Sequence, residues 1–142
     1  MSASPGAYFT SIPQQIWISV GKNRVFWWVN STYTANASYT VVPPYHVFGE
    51  SNQFSVEVAV TVTAVSGTSP TLTVSVTRAP LMEYINGAGL FASWIQPANA
   101  VSTSGIYISN AVFYGMYAFQ VLVSVGGTSP SFTAYIEVTV SG

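Results

Sequence analysis

Between Val56 and Thr63 the chain alternates without a break. Val56, Val58, Val60 and Val62 fall on one side, and Glu57, Ala59, Thr61 and Thr63 on the other. From Thr71 the pattern resumes, with Leu72, Val74 and Val76 on the apolar side. A period of two built from β-branched residues predicts half-buried antiparallel strands. Between the runs stands Ser66-Gly67-Thr68-Ser69-Pro70, where glycine is free to take positive φ and proline closes a turn. The two runs are therefore expected to form a hairpin.

The phrase recurs. Val65-Ser-Gly-Thr-Ser-Pro-Thr-Leu-Thr matches Val125-Gly-Gly-Thr-Ser-Pro-Ser-Phe-Thr at an offset of 60 residues. After the second copy, Phe132, Ala134, Ile136, Val138 and Val140 alternate against Ser131, Thr133, Tyr135, Glu137 and Thr139. Before it, the more apolar side is Tyr117, Phe119, Val121 and Val123, one residue out of phase with the first copy. A bulge, or burial of both faces, would account for the slip. Two such hairpins suit the two sheets of one sandwich, and two copies are too few for a solenoid or propeller.

A further hairpin is read at the start: 16–20, a turn at Gly21-Lys22-Asn23, then Arg24-Val-Phe-Trp-Trp-Val. The polar stretch 31–44 ends in Pro43-Pro44, which cannot continue a ladder, and reads as a long connection with room for one edge strand. From Ala79 to Gly115 the signal weakens. Asn86-Gly-Ala-Gly marks a loop, and further strands fit over 90–95 and 106–114. No segment has a helical period. The expected fold is all-β: an antiparallel, jelly-roll-like β-sandwich of about eight strands over 16–142, preceded by an extended N-terminal arm over 1–15.

Charge changes the picture more than hydrophobicity does. Only three Lys or Arg and four Glu occur in 142 residues, 5 % of the chain, against about a quarter in ordinary soluble domains. The surface must be made of Ser, Thr, Asn, Tyr and Trp, as in a part covered by neighbours in an assembly. Net charge is −1, so the electrostatic footprint of a nucleic-acid binder is missing. Hydrophobic residues at 49 % and aromatics at 15 % exclude disorder from want of apolar surface. No run reaches the roughly 18 apolar residues of a spanning helix. The opening Met1-Ser-Ala-Ser-Pro-Gly has neither the basic nor the apolar region of a secretory signal, which reads as use without Sec export. With four carboxylates and one histidine, folding stability is expected to vary little with pH.

Candidate chemistry is sparse. Zero cysteines exclude disulfides, thiolate metal sites and a Cys nucleophile; one histidine, His46, excludes paired imidazoles. There is no Asp to complete a Ser-His-Asp triad. Among the carboxylates, Glu57 and Glu137 fall on outward strand positions and Glu50 and Glu83 in connections, a spacing that does not build a glycosidase pair. Gly87-Ala-Gly89 lacks the Lys and helix of a phosphate loop. The expectation is therefore no catalytic residues, no metal and no cofactor. The aromatics carry more. Trp27 and Trp28 are adjacent on a strand and so point to opposite faces. Trp17, Trp94, Tyr33, Tyr39 and Tyr45 add exposed candidates. Such rings serve as desolvated anchors between subunits or as platforms for sugars, and the lack of charge around them favours the interface. The interface candidates are Tyr8, Phe9 and Ile12 on the arm, with Trp17, Trp27, Trp28 and Trp94. Asn30-Ser-Thr and Asn36-Ala-Ser are glycosylation sequons in a polar loop.

The doubled pattern, Val62-Thr-Ala-Val-Ser-Gly-Thr-Ser-Pro-Thr-Leu and Val123-Ser-Val-Gly-Gly-Thr-Ser-Pro-Ser-Phe, resembles small β-sandwich structural proteins of tailed-phage and archaeal virions. The low-charge, Tyr/Thr/Val-rich style is similar to virion proteins of thermoacidophilic archaea. The resemblance covers the second half of the chain and the 56–78 segment, and leaves the Trp-rich first hairpin outside. It implies a non-enzymatic capsid or capsid-decorating subunit, assembled in host cytoplasm, with copies of itself and a major capsid or other shell protein as partners. A carbohydrate-binding or adhesin module, and a filament subunit exchanging a donor strand through its arm, are the alternatives.

Overall fold

The longest runs of extended chain, Phe54–Pro80 and Tyr117–Ser141, each pass straight through a Gly-Thr-Ser-Pro motif. They belong to a computed structural model that describes residues 17–19, 24–43, 53–80 and 90–142. Among these, the strands in chain order are β1 (Ile18–Ser19), β2 (Arg24–Tyr33), β3 (Ala37–Val41), β4 (Phe54–Pro80), β5 (Ala92–Val101), β6 (Gly105–Phe113) and β7 (Tyr117–Ser141). All ladders between them are antiparallel.

The Gly-Thr-Ser-Pro motifs are not hairpin turns, which corrects the reading of 56–77 and its repeat. β4 and β7 pair with each other along nearly their whole length, from Ser55↔Ser141 through Thr68↔Thr128 to Pro80↔Tyr117. The motifs are corners where the two strands cross and pass from one sheet into the other. Gly67 and Gly127 take φ of 113° and 110°, and Ser69 and Ser129 take 48° and 49°. These values bend the chain without reversing it. Pro70 and Pro130 sit where the ladder is irregular, so their missing N–H groups break no regular pairing. The crossing is a local two-fold: Ser66↔Ser131 and Thr71↔Gly126 exchange when 60 is added to one position and subtracted from the other. Of the two causes that the sequence left open for the phase slip, the bulge is the one present. The ladder shifts between Val62 and Ala64, so β4 carries Thr63 as an extra residue that β7 lacks.

With the two-residue β1 set aside, taking each half of β4 and β7 separately gives eight segments. One sheet runs β2, the end of β7, the start of β4, then β6, with β1 added outside β2. The other runs β3, the start of β7, the end of β4, then β5. Numbered along the chain, the sheets read 1-8-3-6 and 2-7-4-5, the interleaved order of a jelly roll. β2-β3-β4 and β5-β6-β7 thus occupy equivalent places. β2, β3 and β4 form no ladder among themselves; each pairs with strands of the second unit.

The two sheets close on one apolar core. Val25, Trp27, Val29, Val56, Val58, Val60, Phe132, Ile136, Val138 and Val140 come from the first sheet, and Tyr39, Val41, Leu72, Val74, Val76, Phe119 and Val121 from the second. Rings meet across the gap: Trp27 on Tyr39 at 5.4 Å and Phe113 on Phe119 at 5.6 Å between centroids. The hairpin expected at 16–29 is present as Ile18↔Phe26 and Ser19↔Val25. The edge strand expected within 31–44 is β3. The arm over 1–15, the loop at 86–89, Tyr45, His46, Glu50 and Glu83 lie outside the described residues.

Candidate assembly interface

β6 is apolar on both faces. It pairs with β4 over nine consecutive residues, from Gly105↔Val62 to Phe113↔Phe54, with no shift in register. Alternation therefore holds strictly along it. Phe113 is buried, and Tyr107 and Ala111 pack against the core. Ile106, Ile108 and Val112 point the other way and are 67 %, 54 % and 50 % exposed. Tyr114 and Met116 extend the exposed apolar row past the end of the strand. Fully burying an aliphatic side chain of this size stabilises by roughly 1.5–3 kcal/mol, so three half-exposed ones in a row on one strand form a candidate contact surface. The same outer face carries Trp28 and Tyr135, whose rings lie 6.0 Å apart on β2 and β7.

The other tryptophans belong to this chain's own interior. Trp27 is fully buried and Trp17 is buried, so neither offers area to another subunit, contrary to the expectation from composition. Trp94 is half-buried in a cluster at one end of the sandwich. It stacks on Phe119 at 5.6 Å, meets the edge of Phe113 at 5.7 Å, and carries the Arg78 guanidinium 4.5 Å above its ring. Tyr117 holds the same guanidinium from 4.8 Å. This clip explains how Arg78 occupies an inward-phase position at the mouth of the core. Tyr33 and Tyr39, expected to be exposed, are buried, with their hydroxyls hydrogen-bonded at 2.7 Å. Burial raises both phenols, Tyr33 well above the usual range with the neighbouring Tyr39 adding to the shift, whereas in Tyr39 the hydrogen bond with Tyr33 works against the rise. Of the seven sequence-derived interface residues, Trp28 alone is described on an outer face. Tyr8, Phe9 and Ile12 lie outside the described residues.

The stripe of Ile106, Ile108 and Val112 had a signal in the sequence. Over 106–113 both parities are rich in apolar residues, more than one core face can bury. The polar candidates are dispersed. Glu57 and Glu137 are exposed on the outer face of the first sheet, as their strand parity requires. No group of three His, Cys, Asp or Glu residues comes together among the described residues. Asn30 is exposed on β2 and not in a loop, because β2 continues to Tyr33. Asn36 is exposed in the turn before β3, where its Oδ1 accepts a hydrogen bond from the Val125 N–H at 2.9 Å. No helix among the described residues is long and apolar enough to cross a membrane.

No protein family matches the chain, and no curated protein matches it. Among solved structures, it is similar to a chain of the infectious bursal disease virus VP2 subviral particle. The identity is 9 % and the TM-score 0.49, with 91 % of this chain and 38 % of that chain covered. The chain thus spans well under half the length of that relative. The jelly-roll assignment stands on the strand order described above. The likeness to tailed-phage and archaeal virion proteins has only the sequence pattern behind it.

Proposed function

We propose that this chain is a non-enzymatic structural subunit of a virion, a capsid or capsid-decorating protein that self-associates and stabilises a shell. The observation that carries the reading is the outward row of Ile106, Ile108 and Val112 on a regular strand, in a chain with seven formally charged side chains. A jelly roll presents such a face rigidly, and each contact with a neighbour stabilises both folded partners by mass action. The partners would be copies of itself and a major capsid or other shell protein, within an extracellular particle assembled in host cytoplasm. The low charge also fits a virus of a thermophilic or acidophilic host.

Sedimentation velocity over a concentration series tests this. Association that strengthens with concentration is expected, and removal of residues 1–15 should weaken attachment to the shell while leaving the domain folded. A monomer at every concentration, with attachment unchanged by the deletion, would overturn it. A second reading, glycan binding, has the Trp28–Tyr135 pair in its favour. It requires quenching of tryptophan fluorescence by a sugar, abolished in Trp28→Ala.

A further inference from the structure

Resting on the self-association reading, we infer that the partner of β6 is β6 of a second copy, joined edge to edge and antiparallel across a two-fold axis at Ser109. Four sheet edges exist among the described residues, and they differ in how open they are to pairing. β1 has two residues and β3 has five. β5 has ten, but contains Pro97, shifts register three times against β4 and holds Ala100 at φ 51°. Short length, proline and bulges are the devices that keep an edge from pairing. β6 has none of them. It is nine residues long, or about 30 Å, regular throughout, and contains no proline and no charged side chain.

β6 is also self-complementary. A two-fold contact brings one patch against itself, so any charge on the patch would meet its own copy. β6 has no charge to repel. Complete overlap of 105–113 with itself centres the axis on Ser109 and preserves the faces, since facing residues have the same parity. On the outer face Ile106 then stands opposite the partner's Val112, and Ile108 opposite the partner's Asn110. Tyr114 falls opposite the partner's Ser104, in the turn before the paired segment. The aliphatic row is then flanked by a strand on both sides, and the β6 edge left unpaired among the described residues gains hydrogen bonds from the same contact.

The absence of cysteine makes a clean test possible. Single substitutions Ile106→Cys, Ile108→Cys, Asn110→Cys and Val112→Cys lie on the outer face and leave the core intact. Chains are mixed in pairs under mild oxidation. Cross-links of 108 with 110 and of 106 with 112 are expected to dominate over 108 with itself. Ile108→Lys, checked for folding by circular dichroism, should weaken association by about tenfold, the effect of losing one central anchor. If sedimentation still shows oligomers but no β6 pair cross-links, the edge-to-edge contact is overturned while self-association stands. If the protein is monomeric, both fall. Cross-linking of Ile108→Cys to Phe9→Cys or Ile12→Cys, with none between β6 strands, would make the arm the occupant and overturn the inference.

Discussion

Gly67 and Gly127 hold the crossing of β4 and β7 from opposite sides, each with its hydrogen turned onto the other strand's backbone. A Cβ on Gly67 would stand 2.6 Å from the Ser129 carbonyl oxygen, and one on Gly127 would stand 2.6 Å from that of Ser69. Both positions also have positive φ. Alanine at either site is expected to cost about 2–4 kcal/mol, from left-handed backbone strain and from overpacking against rigid main chain. The two losses should be nearly equal, because the environments are related by the local two-fold. Denaturant titration of the two variants checks both statements; a loss under about 0.5 kcal/mol would mean that the crossing relaxes freely.

The halves of the chain depend on each other for pairing. β2, β3 and β4 find their ladder partners in β5, β6 and β7, apart from the two-residue β1. Expressed as two polypeptides divided between β4 and β5, neither should give a dispersed near-ultraviolet spectrum alone, and mixing should restore one. Independent folding of either fragment would contradict the interleaved ladder.

Neighbouring tryptophans should respond unequally. Trp27→Ala removes a fully buried ring and is expected to destabilise by about 3–5 kcal/mol. Trp28→Ala removes an outward ring touching Tyr135 and is expected to cost about 1 kcal/mol. Chemical denaturation of the two variants gives the comparison, and equal losses would place both rings in the core.

Alkali should be a sharper stress than acid. Tyr33 and Tyr39 are held protonated in the fold, first by burial, whereas the unfolded chain releases these protons near pH 10.0. Below that pH their contribution is fully present. Above it the unfolded state binds fewer protons than the folded one, so stability falls as pH rises, by about 1.4 kcal/mol per pH unit for Tyr33, with a loss of the same sign from Tyr39. Tyr33→Phe should flatten this slope. Toward acid the curve should stay shallow, since only four carboxylates and one histidine take up protons. Denaturation midpoints between pH 4 and pH 11 test the whole profile.

Alternation made the core faces of 56–62 and 132–140 legible, and the one-residue phase slip left a bulge or burial of both faces open without placing the bulge at Thr63. The corner at Ser66-Gly-Thr-Ser-Pro was misread because its residues specify a bend but not whether the chain turns back. That outcome depends on which strand pairs beyond the bend, and the answer lies some 60 residues away in the second copy. The equivalence of β2-β3-β4 with β5-β6-β7 is not visible in the sequence outside this motif, since a ladder asks only for alternation and tolerates almost any apolar residue. Among the aromatics, strand parity separated Trp27 from Trp28, whereas counting rings said nothing about Trp17 or Trp94. The outward row on β6 was overlooked because each of its residues is unremarkable singly; their shared parity beside an already apolar inner face was the available clue.

β7 is a central strand of both sheets and the last of the seven to leave the ribosome. Until Ser141 has been extruded, the first sheet lacks the strand between β2 and β4, and the second lacks the one between β3 and β4. No smaller piece made earlier can close the core. The two sheets can therefore be joined only once β7 is available, and the apolar β6 edge becomes a defined surface only then.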